Sequence, residues 1–121
     1  MSKSPLFEIG RQRLLDLQSE LETIRSSIAT LKDEGGIAAK GTAIASYRAR
    51  GASGIYYDYY KFIKRENETL IHLGREDSQW LKDFRSAVKR RSELDCLEKQ
   101  RGELKKEIDT LKTEIASLNP D

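Results

Sequence analysis

IASYRARGASGIYYDYYKFIKRENETLIHLG, residues 44–74, contains all five tyrosines of the chain, and the alternation of its residues decides the fold. Ile44–Arg50 reads as a first strand. Gly51-Ala52-Ser53-Gly54 is a turn sequence, and Ile55–Arg65 is dense in aromatic and β-branched residues, as a second strand requires. Glu66-Asn67-Glu68 supplies another polar turn before Thr69–Leu73, which Gly74 closes. The spacing predicts a three-stranded antiparallel meander. Successive side chains of a strand point to opposite faces. The second strand therefore places Tyr57, Tyr59 and, less regularly, Lys61 and Ile63 on one face, and Tyr56, Asp58, Tyr60, Phe62 and Lys64 on the other. Both faces are aromatic. One is expected to pack on a following helix through Trp80 and Phe84, leaving the other available.

Outward from the meander, both prolines, Pro5 and Pro120, lie at the extreme ends, so nothing between them forbids long helices. Ser4-Pro5 is a helix start, with serine as N-cap and proline in the first turn, and Gly35-Gly36 is a helix stop. Between them Leu14, Leu17, Leu21, Ile24, Ile28 and Leu31 alternate spacings of three and four, which predicts an amphipathic helix over about 5–34. A second seam runs through Leu94, Leu97, Leu104, Ile108, Leu111, Ile115 and Leu118, broken only by Arg101. Arg101 is read as a register-selecting residue that meets an acid such as Asp16 or Glu20. Trp80, Phe84 and Val88 continue that seam upstream in another phase, so one helix over about 77–118 is expected to shift its buried face near 89–93, with Asn119-Pro120 ending it.

The expected fold is α+β: two long helices forming an antiparallel coiled-coil hairpin or dimer core, with the three-stranded β-meander inserted between them. Three regions follow, an N-terminal coiled-coil helix (1–35), a basic, tyrosine-rich meander (36–75) and a long C-terminal helix (76–121). With 37% hydrophobic and 35% charged residues, the chain is lean for one compact core, and a homodimer is the expected state.

The net charge of +2 conceals an uneven distribution. Residues 36–65 carry six cations against Asp58 alone, and 82–91 carry five against Asp83 alone, while the rest of the chain is net negative. A single cysteine, Cys96, forms no internal disulfide, the N-terminus lacks the apolar core of a signal peptide, and no apolar run reaches the length of a membrane span. A cytoplasmic protein without membrane contact is expected.

Catalysis finds little to work with. Tyrosine can act as a nucleophile in DNA strand transfer, but such chemistry needs histidines or an Arg/His constellation around the phosphorane, and His72 is the sole histidine. Cys96 and His72 fall short of a tetrahedral zinc site, and Gly51–Gly54 matches no nucleotide-binding fingerprint. No catalytic residue, metal or cofactor is expected. Clustered cations beside aromatic rings instead suit nucleic acid, since cations neutralise phosphates and rings stack on unpaired bases. The residues nominated for DNA or RNA are Arg48, Arg50, Tyr56, Tyr60, Lys61, Lys64, Arg65, Arg85 and Lys89. The alternative is a coiled-coil adaptor whose tyrosine-rich sheet meets a protein partner, because tyrosine and arginine are enriched in such patches.

In layout, Tyr47 to Leu118 resembles a family of small uncharacterised bacterial proteins associated with mobile elements, built from a helix, a tyrosine-rich β-hairpin unit and a long charged helix. The shared features here are Tyr47, Arg50-Gly51, Gly54, Tyr56-Tyr57, Lys61, the third strand ending at Gly74 and LKDFRSAVKRRSELDCLEKQ at 81–100. The resemblance implies a setting with DNA. The cysteine cluster that many members carry before the hairpin is missing, so no zinc role is carried over.

Overall fold

The computed structural model describes residues 5–118. Helix α1 spans Pro5–Glu34, strands β1 (Ala43–Arg50), β2 (Tyr56–Lys64) and β3 (Glu68–Gly74) follow, and helix α2 spans Gln79–Leu118. The fold is α+β, and the strands pair in sequence order as an antiparallel meander, as the alternation at 44–74 requires. Ser4 and Asn119-Pro120, read as helix-limiting signals, lie outside the described residues. Among the described residues no helix is long and apolar enough to cross a membrane.

The chain divides into two compact units, Glu34–Leu94 and a helical unit of Met1–Asp33 with Asp95–Asp121. In the helical unit Leu17, Leu21, Leu104 and Ile108 form a buried cluster, and Leu14, Ile24 and Leu111 pack against it. Contacts run in opposite order along the two helices. Ile115 lies beside Gly10, where an added Cβ would come within 3.1 Å, and Arg13 reaches Glu107 at 3.8 Å. Leu118, at the end of the predicted seam, is 42% exposed.

In the other unit, the pairing of β1 with β2 is regular, from Ala43 opposite Ile63 to Arg50 opposite Tyr56. Its turn is closed by the Gly51 amide donating to the Ile55 carbonyl at 2.8 Å and the Gly54 amide donating to Gly51 at 3.0 Å. Two glycines are required there. Gly54 has φ +85°, a left-handed conformation that a Cβ disfavours, and a Cβ on Gly51 would stand 2.9 Å from the Tyr57 ring. The pairing of β2 with β3 is irregular, with register shifts at Tyr60/Lys61 and Phe62/Ile63. A short 3-10 turn, Arg65–Asn67, joins them, and Asn67 takes a left-handed φ of 60° that asparagine tolerates better than most residues.

The core of this unit consists of Ala38, Phe62, Leu73 and Leu81, with Ile44, Tyr60, Ile71, Phe84, Ala87 and Val88 against it. Ser78 caps α2, its Oγ accepting from the Leu81 amide at 3.4 Å, and so sets the helix phase that turns Leu81, Phe84 and Val88 to the sheet. Trp80 does not serve as the expected anchor. At 60% exposure it lies one residue, about 100° of helix rotation, away from Leu81, which is completely buried. Phe84 does pack, its ring centroid 4.8 Å from that of Phe62. Arg90 and Arg91 donate to the carbonyls of Gly36 and Ala38 at 2.8 and 2.6 Å, fastening the segment before β1 to α2.

Leu81→Ala is expected to destabilise the protein by about 2–5 kcal/mol in denaturant unfolding, and Trp80→Ala by about 0.5 kcal/mol or less. Equal losses would contradict this assignment of the core.

Candidate nucleic-acid interface

The register of the sheet assigns every side chain of the hairpin to a face. With Phe62 inward, Ile44, Ser46, Arg48 and Arg50 of β1 share its face, opposite Phe62, Tyr60, Asp58 and Tyr56. The outer face then carries Ala45, Tyr47, Ala49, Tyr57, Tyr59, Lys61 and Ile63. The two faces differ in charge as well as in packing.

On the inner face and its margins, Arg48, Lys64 and Arg85 have acidic partners, and Arg50 has none within 4.0 Å among the described residues. Arg48 lies 3.8 Å from Asp58, Lys64 Nζ lies 3.1 Å from Glu68, and Arg85 engages both carboxylate oxygens of Glu76 at 2.6 and 3.2 Å. Exposed pairs such as Arg48–Asp58 contribute little stability, about 0–1 kcal/mol. Their effect is to occupy the cation. Arg85 also covers the Tyr60 ring, 4.9 Å from its centroid.

The outer face has no carboxylate among the residues its two longer strands contribute. Tyr47 and Tyr59 are offset-stacked, centroids 5.7 Å apart and planes inclined by 23°. Lys61 Nζ lies 5.6 Å from the Tyr47 centroid, and His72 Nδ1 lies 3.3 Å from the Tyr47 hydroxyl. Arg75 lays its guanidinium over Tyr57, 3.8 Å from the ring centroid. Among the described residues, neither Lys61 nor Arg75 has a carboxylate within 4.0 Å. These rings are half-buried by their neighbours on the sheet.

The residues nominated from the sequence therefore separate. Tyr60 meets Arg85 beneath the sheet, Arg48, Arg50 and exposed Tyr56 gather at the hairpin tip, and Lys61 lies on the opposite face from these. Arg65 leaves β2 in the 3-10 turn and lies along Gly41, and Lys89 is exposed on α2. Sequence reasoning omitted Tyr47, Tyr57, Tyr59, His72 and Arg75. The odd-numbered alternation of β2 already grouped Tyr57, Tyr59 and Lys61, and it was the signal that should have nominated them.

Comparison with protein-family profiles, with curated proteins and with solved structures gives no match for this chain.

The trio of Tyr60, Glu76 and Arg85 has a definite titration behaviour. The bidentate hydrogen bonds from Arg85, aided by the Tyr60 hydroxyl, hold the Glu76 carboxyl down from its ordinary 4.5 to about 2. Conversely, hydrogen bonding to Glu76, then desolvation and the carboxylate charge, push the Tyr60 phenol up from 10.0 against the opposing pull of Arg85. Because Glu76 is depressed in the folded state, its stabilising contribution is complete above pH 4.5 and is lost as pH falls towards about 2. Tyr60, being raised, contributes below pH 10.0 and loses its contribution as pH rises through its folded value. Glu76→Gln is expected to flatten the acid dependence of unfolding between pH 4.5 and about 2, and to move the alkaline absorbance titration of one tyrosine downward. Unchanged curves in both ranges would show that the trio is not coupled in solution.

Proposed function

We propose that this is a non-enzymatic nucleic-acid-binding protein of the accessory or regulatory kind, with DNA as the first expectation, that binds through the outer face of its three-stranded sheet. One observation carries the proposal: tyrosine rings lie with Lys61 and Arg75, cations without acidic partners among the described residues, on a face to which β1 and β2 contribute no carboxylate, whereas Arg48, Lys64 and Arg85 each have one. An antiparallel sheet with one face on a helix normally turns polar side chains to water on the other. Tyr47, Tyr57 and Tyr59 depart from that pattern, and a binding role accounts for their position.

Lys61 and Arg75 supply the phosphate contacts nearest the rings, and Arg50, Arg65 and Lys89 extend the positive field around the sheet. Arg48, Lys64 and Arg85 are demoted, because each would have to leave a carboxylate first. In the same reading, α1 and the C-terminal half of α2 pair as an antiparallel coiled coil, supported by the opposed order of their contacts. The resemblance in layout to mobile-element proteins supplies a setting in which DNA is at hand.

A salt titration tests the proposal. With labelled random-sequence DNA, affinity is expected to fall steeply with salt, and Lys61→Gln with Arg75→Gln to reduce the log–log slope by about 1–2. Arg48→Gln should change it less. Failure to bind DNA or RNA in low salt, or a slope indifferent to Lys61 and Arg75, would overturn the proposal.

A further inference from the structure

The geometry points to single-stranded nucleic acid as the form this face takes, with unpaired bases stacking on Tyr47 and Tyr59 while Arg75, beside Tyr57, meets phosphate. This inference rests on the nucleic-acid reading above and deepens it. Three observations carry it.

The first is the side-chain inventory of the face. Reading a duplex through its grooves uses amide and guanidinium groups aimed at base edges, and β1 and β2 contribute only alanine, tyrosine, lysine and isoleucine there. No asparagine or glutamine is present among them. Aromatic rings, by contrast, recognise the flat faces of bases, which a duplex keeps inside its own stack and an unpaired strand exposes. On this face β1 and β2 place the rings that an unpaired strand needs and neither an amide nor a guanidinium group.

The second is the arrangement of Tyr47 and Tyr59. They lie directly opposite one another on adjacent strands, and their planes are inclined by only 23°. Two rings so nearly parallel form a shared surface whose direction a base can continue. His72 steadies one end, its Nδ1 3.3 Å from the Tyr47 hydroxyl, so the ring orients before any ligand arrives.

The third is the division of labour between Tyr57 and Arg75. Tyr57 has glycine on one side, where a Cβ on Gly51 would stand 2.9 Å away, and a guanidinium 3.8 Å from its centroid. The guanidinium takes up part of the ring that a base would otherwise meet. A guanidinium attracted to a ring face still has N–H groups to offer phosphate oxygens. Together with Lys61 beside Tyr47, it supplies a second cation near the rings for the backbone of a stacked strand.

The test is fluorescence anisotropy with the full chain in low salt. The probes are labelled oligo(dT), oligo(rU) and a random-sequence DNA duplex, compared at equal nucleotide concentration. At least one of the two strands is expected to bind about tenfold or more tighter than the duplex, and the preferred one identifies the sugar chemistry. Tyr59→Leu should weaken strand binding about tenfold, whereas Tyr59→Phe, which keeps the ring, should retain it. If Tyr59→Leu fails to fold by circular dichroism, Tyr47→Leu takes its place, and the strand–duplex comparison needs no variant. Duplex bound as tightly as either strand, or strand binding indifferent to loss of the ring, overturns the single-strand inference and leaves nucleic-acid binding standing. No binding to any of the three probes overturns both.

Discussion

Phe62 meets Phe84 at a ring separation of 4.8 Å, and the facing of the whole sheet is bound to that contact. In a pleated strand one inward residue determines its neighbours at every second position. Placing Phe62 on α2 therefore sends Tyr60 inward and Tyr59 and Lys61 outward, and the regular pairing with β1 does the same to Ile44 and Tyr47. A displacement by one residue would bury Lys61 and expose Phe62. The apolar core and the candidate interface are thus two results of one choice, made where two phenylalanine rings touch.

The distribution of charge follows from that choice. Asp58 alternates with Tyr57 and Tyr59, so it shares a face with Arg48 and never reaches the tyrosine pair. Glu76 comes from the short connection after β3 and binds Arg85 beneath the sheet. On the outer face β1 and β2 place Lys61 and no carboxylate. Arg75, exposed, and Lys61, half-buried, stand beside rings without acidic partners among the described residues.

Much of the fold was legible because each element is marked twice in the sequence. The strands alternate between Gly- and Asn-containing turns, and the helices carry apolar stripes, broken only at Arg101, bounded by glycine pairs or polar turns. Which face of β2 turns inward was not legible, since Tyr57 and Tyr59 on one side and Tyr60 and Phe62 on the other offer similar apolar content. The helix settles it. Trp80 drew attention by its size, but the Ser78 cap sets the phase one residue further on, at Leu81, and capping geometry of that kind is not visible in an apolar count. Glu76 and Arg75 were missed because pairing across a short connection depends on how tightly it turns. Here the Ser78 amide bonds to the Arg75 carbonyl at 2.9 Å, folding both side chains back on β2.

The two margins of the sheet are unlike. Strand β3 is irregular against β2, shifting register twice within seven residues, while β1 keeps eight consecutive pairs and, among the described residues, pairs with β2 alone. A distorted strand is a poor template for recruiting a further chain, so the longest regular edge open to one is the β1 margin. That margin is built from AIASYRAR, in which small alanines give a stacking neighbour little to interlock with and the two arginines repel a like-charged copy. A protein that displays tyrosines on an open sheet is thereby protected from its own adhesiveness by the plainness of its first strand.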